Sequence, residues 1–107
     1  MRFEALEISI AVIESLRGPL AALRLRDPDL HQQIRRAASS VPLNLAEGSR
    51  RAGRDRLHHF RIASGSAEEV RTALRVAAAW GDLSRDQIAP ALALLDRSLR
   101  LLWGLCH

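Results

Sequence analysis

Apolar residues return at every third or fourth position from Phe3 to Leu105, and three short breaks interrupt them. That spacing places one apolar stripe along a helix, and nowhere is a strand-like alternation sustained. Phe3, Leu6, Ile10, Ile13, Leu16, Leu20 and Leu23 trace the first stripe. Pro19 falls inside it; it lacks a backbone donor and crowds the Ser15 carbonyl, so a kink or a restart is expected there. Asp27-Pro28 then reads as a helix opening, with Asp27 as N-cap and Pro28 at the first helical position. Leu30, Ile34, Ala37, Val41 and Leu45 line the second helix, which is expected to run to about Arg51. Gly53 lies in the break. Leu57, Phe60, Ala63, Ala67, Val70, Leu74 and Ala77 line the third helix, and Gly81 suits a left-handed C′ position. Ser84 with Gln87 has the form of a capping box, opening a fourth helix along Ile88, Leu92, Leu95, Leu99 and Leu102.

The expected helices cover about residues 3–25, 28–51, 55–80 and 85–105. Links this short make sequential helices antiparallel. The expected fold is therefore all-α, an antiparallel up-down-up-down four-helix bundle forming a single domain over residues 1–107. The longest uncharged run, Ala37–Ala46, is about half of the ~20 residues a membrane span requires. Glutamates near the N-terminus are unlike the basic start of a signal peptide. A soluble cytoplasmic protein with no membrane association is expected. Cys106 is the one cysteine, so no intrachain disulfide can form.

Helices one and four carry more apolar residues than one core stripe uses. Ile8 and Val12 on the first, and Leu94, Leu101, Trp103 and Leu105 on the fourth, are assigned to a homo-oligomer interface. The alternative is that they widen the core or sit singly on the surface.

Few residues suggest chemistry. There is no Gly-rich phosphate loop, cysteine zinc pattern or His-Glu-x-x-His. Asp55 and His59 share a helix face, but no third metal ligand is apparent, and His58 points about 100° away. No serine has an evident histidine partner. No catalytic residue, metal or cofactor is expected, and the protein is read as non-enzymatic.

Charge is more informative. All 16 basic residues are arginine, against 12 acidic residues. Residues 35–75 hold nine Arg and four acids, a net of +5, while the remainder is at −1. Arg50, Arg51, Arg54 and Arg56 crowd the turn between helices two and three. Clustered guanidinium groups can hold phosphates by charge and bidentate hydrogen bonds, so these four are the candidate nucleic-acid contacts. A solvated, ion-paired turn is the competing account. Phe60 is the one aromatic residue near them in sequence, so base stacking is not indicated at this point.

Polar residues also interrupt the stripes. Asn44 projects toward the core or its edge, and Pro42 leaves the Ala38 carbonyl without its helical donor. Asn44, Glu47 and Ser66, with Ser39 and Ser40 nearby, are expected to form a structural polar network. Gly65 beside Ser66 suggests a close helix crossing. A ligand site built from Arg36, Asn44, Glu47 and Glu69 is the alternative.

Two runs, QIRRAASSVPLNLAEG at 33–48 and FRIASGSAEEV at 60–70, resemble the four-helix-bundle family encoded by intervening sequences of bacterial large-subunit ribosomal RNA genes. The likeness rests on Gln33 to Ala38, Ser40-Val41-Pro42, Asn44 to Gly48, Phe60, Ile62-Ala63, Gly65-Ser66 and Glu69. A related accessory protein of diversity-generating retroelements is a basic five-subunit barrel that binds nucleic acid and a reverse transcriptase. The resemblance thus implies a pentamer with RNA, DNA or a protein such as a reverse transcriptase as partner. This chain is only modestly basic beside such members. The rival reading is a protein-interaction scaffold with no nucleic-acid role.

Overall fold

The computed structural model describes residues 3–107 and consists of four helices: α1 (Glu4–Arg26), α2 (Pro28–Ser49), α3 (Gly53–Trp80) and α4 (Arg85–Cys106). The bundle measures 42 × 22 × 20 Å. At 1.5 Å per residue α3 alone spans about 42 Å, so it sets the long dimension. Each helix packs mainly on two neighbours, α1 and α3 each lying between α2 and α4. One end gathers Phe3 and Leu6 at the start of α1, Ser49 at the end of α2, Phe60 early in α3 and Leu105 late in α4. That gathering fixes the up-down-up-down order.

Local signals act where the sequence places them. The Asp27 carboxylate accepts from the Leu30 amide at 3.0 Å. Ser84 and Gln87 close a reciprocal capping box. Gly81, at φ +80°, ends α3, where the Asp82 amide reaches back to the Ala77 carbonyl at 2.9 Å in a Schellman motif. Gly53, at φ +61°, lets the chain turn directly into α3, one to two residues earlier than expected. α2 ends at Ser49, two residues before the expected Arg51. α1 passes through Pro19 as one assigned helix, without a restart.

The core differs from expectation in α1. Its buried residues are Ala5, Ser9, Val12, Leu16, Leu20 and Leu23, while Ile10 is 42% exposed. Apolar residues at 6, 8, 10, 12 and 13 cover several faces, so periodicity alone does not select the inward one. Small residues decide it. Ser9, Val12, Ala38, Val41, Ala67, Val70, Leu95 and Ser98 line one small void where all four helices meet. Ser9 stays buried because its hydroxyl donates to the Leu6 carbonyl at 2.7 Å.

The close helix crossing is also displaced. A Cβ on Gly65 would meet nothing within 4 Å, whereas one on Gly48 would lie 2.7 Å from the Phe60 ring. The glycine that α2–α3 packing requires is therefore Gly48. Gly48→Ala is expected to cost about 1–3 kcal/mol through overpacking. Gly65→Ala is expected to gain roughly 0.5–1 kcal/mol through lower backbone entropy. Chemical denaturation of the two variants beside the parent checks the opposite signs.

Candidate nucleic-acid interface

The four arginines of the α2–α3 turn do different work. Arg51 lies between two carboxylates, with nitrogens 2.7 Å from Glu47 Oε1 and 2.7 Å from Asp55 Oδ2. Arg56 Nε donates to the Gly48 carbonyl at 3.2 Å and a terminal nitrogen donates to Ser49 at 3.3 Å. Those carbonyls end α2; Gly48 also accepts the Arg51 amide at 3.1 Å, and Arg56 adds to this cap from across the turn. Arg50 and Arg54 are exposed and make no ion pair among the described residues. The turn thus has two immobilised guanidinium groups and two uncommitted ones.

Electrostatics follow from this arrangement. The Arg51 guanidinium, hydrogen-bonded to each, holds both the Glu47 and the Asp55 carboxyl below their usual range. The same pairs push Arg51 upward, Asp55 contributing most. All three groups are solvent-exposed, so the ion pairs add little stability. Their consequence is for charge. A carboxyl with a lowered pKa is ionised above its ordinary value and loses its charge only as pH falls through the lowered one. At neutral pH both carboxylates therefore cancel Arg51 charge, and strong acid releases it.

The polar network forms, but with other members. Asn44 Nδ2 donates to the Ser40 carbonyl and hydroxyl, each at 3.0 Å. Ser66 donates to the Ser40 hydroxyl at 2.8 Å. Asn44 Oδ1 lies 3.0 Å from His59 Nδ1. Since the Asn44 amide nitrogen is already donating, its oxygen accepts and the His59 proton sits on Nδ1. Asn44 and Ser66 are members as expected; Glu47 is not, because Arg51 holds it at the surface. His59 is the member the sequence reading missed. Residues 44 and 59 lie almost equally far from the turn, and that spacing was the available signal.

The alternative ligand set is not gathered. Glu69 is near Gln33, at 3.5 Å, while Glu47 is engaged at the other end of the same seam. Asp55 and His59 are likewise committed, to Arg51 and Asn44.

The expected oligomer contacts separate into three groups. Val12, 4% exposed, belongs to the central layer of its own bundle and not to an outer contact. Leu94, Leu101 and Leu105 are half-buried and pack against the core. Ile8 is half-buried. Trp103 is 64% exposed, with its ring stacked on His107 at 4.5 Å between centroids. No helix among the described residues is long and apolar enough to cross a membrane.

A profile for the 23S rRNA-intervening sequence proteins matches residues 4–104. The chain belongs to that family. No curated protein matches it. A similar solved structure is a protein of unknown function from the S23 ribosomal protein family of Bacteroides thetaiotaomicron, at 19% identity and TM-score 0.78. The alignment covers 95% of this chain and 94% of that one, so the two share a fold.

Two outcomes are expected here. Asn44→Ala should lower stability by about 1 kcal/mol, toward the low end for a hydrogen-bond deletion because the site is half-buried, as read from thermal unfolding. Glu47→Gln with Asp55→Asn should release Arg51 and strengthen polyanion binding, with log K falling more steeply against log salt by roughly 0.9 for one added phosphate contact. Fluorescence anisotropy on labelled duplex DNA measures that slope.

Proposed function

We propose that this bundle is a non-enzymatic, homo-oligomeric cytoplasmic protein that associates with nucleic acid through its α2–α3 end. The observation that carries this reading is the pair of uncommitted guanidinium groups, Arg50 and Arg54, beside a turn held rigid by Arg51 and Arg56. A rigid turn presents its cations without an ordering cost. Family resemblance supports a five-subunit ring, and a ring would repeat the pair about its axis. Several weak contacts on one polyanion then act as linked sites and raise avidity. A protein such as a reverse transcriptase is a further proposed partner. Binding through phosphates is expected to be tolerant of sequence.

The test combines light scattering with titration of labelled RNA and duplex DNA. The parent should run as an oligomer and bind both at ~50 mM salt, with affinity falling as salt rises. Arg50→Ala with Arg54→Ala should flatten the salt slope and weaken all sequences alike, while the oligomer keeps its mass. Absence of binding by the parent, or equal binding by the double variant, would reject this interface. An intact oligomer without nucleic-acid binding would favour the protein-scaffold reading.

A further inference from the structure

The α2–α3 turn has no exposed tryptophan, tyrosine or phenylalanine close to it in sequence, but the fold brings a tryptophan to the same end. Leu105 of α4 shares a groove with Phe3, Ser49, Arg56 and Phe60. Trp103 lies two residues earlier on α4, so it too stands at the arginine-rich end. Its indole is 64% exposed.

Contacts across the α3–α4 seam locate it further. Asp96 faces α3, because its carboxylate accepts from Arg71 at 3.3 Å. Trp103 is seven residues on, two helical turns along nearly the same face, and so borders α3. On α3, Arg54, Arg61 and Glu68 recur at seven-residue intervals and form one row. Glu68 ties that row to the seam by gripping Arg71 at 2.7 Å. Arg61 is close enough to the α4 residue Cys106 to act on it electrostatically. Arg54, Arg61 and Arg100 are all exposed, and none has a carboxylate partner among the described residues. An open indole therefore stands on a seam bordered by unpaired guanidinium groups.

A bare phosphate patch has no use for an exposed tryptophan, whereas a single strand does. Unpaired bases stack on aromatic rings while cations track the backbone, and this stacking tolerates any base. In a duplex the bases already stack on one another. The His107 ring, stacked 4.5 Å from the indole and 14° from parallel, shows that a flat heterocycle fits against that ring.

We infer that the α3–α4 seam at the arginine-rich end binds single-stranded nucleic acid, with Trp103 as the stacking platform and Arg54, Arg61 and Arg100 beside the backbone. This rests on the proposed nucleic-acid association and narrows it to a strand type. RNA and DNA strands both fit, since stacking and phosphate contacts are common to the two.

Oligomeric parent protein should be titrated with labelled unstructured single-stranded RNA, single-stranded DNA and duplex DNA of equal length, at one low salt concentration. Trp103→Ala should weaken binding of both single strands by about tenfold, consistent with ~1–3 kcal/mol per stacked base, and leave duplex binding within about twofold. Trp103→Phe, which keeps an aromatic face, should recover most of the loss. Because Trp103 is 64% exposed, helical content and melting temperature should stay at parental values. Light scattering should show the same mass; a lower mass for Trp103→Ala would place the indole in the subunit contact and overturn this inference. Indole fluorescence should be quenched by single strands in a Trp80→Phe background, where Trp103 is the remaining tryptophan. Unchanged single-strand affinity in Trp103→Ala overturns this inference while leaving arginine-dependent binding intact. Equal losses for single strands and duplex overturn it as well. A parent that binds none of the three probes overturns the underlying association.

Discussion

Contact between Gly48 and Phe60 governs the arrangement of the whole arginine-rich end. With no Cβ on α2 at that point, the Phe60 ring comes up against its backbone, and α2 and α3 close directly above their turn. The crossing sets the register of everything further along the pair: Asn44 meets His59, Ser40 meets Ser66, and Gln33 comes beside Glu69. It also places Arg56 within reach of the Gly48 and Ser49 carbonyls. A side chain at position 48 would push the helices apart where the turn is shortest and remove the geometry by which Arg56 caps α2.

That register distributes the charge. Nearly every basic residue of the turn looks equivalent in sequence, but backbone geometry divides them. Arg51 is enclosed by carboxylates one helical turn away on either side, and Arg56 by backbone carbonyls. Arg50 and Arg54 remain for solvent or for a polyanion. The held pair stiffens the turn, while the free pair leaves its charge open to solvent. The polar residues above follow the same logic, since Ser40, Asn44, His59 and Ser66 satisfy one another and fix how the two helices meet.

The helices themselves were legible because their signals are local. Asp27, Gly81, Ser84 and Gln87 each act on backbone groups within a few residues, and each does what its position suggests. Packing was legible where a helix has one apolar face, as α2 and α3 have. It failed in α1, where Ile8, Ile10, Val12 and Ile13 offer several faces and the core admits Ala5 and Ser9 beside Val12. Gly48 and Gly65 show the same limit, because a helical glycine acquires meaning from what stands opposite it. The candidate interface was legible as composition, in the four clustered arginines. How those arginines divide, and that Trp103 joins their end of the bundle, depends on contacts between residues remote in the chain.

Both tryptophans stand outside the core, at opposite ends of the long axis. Trp80 occupies the last turn of α3, 76% exposed, where α3 outruns α2, and Trp103 stands near the other end. Leucine, isoleucine, valine and alanine, with Phe60, fill the interior. The intrinsic emission of this protein is therefore that of solvated indole even in the native state. It reports on the two ends of the bundle and leaves the melting of the interior nearly silent.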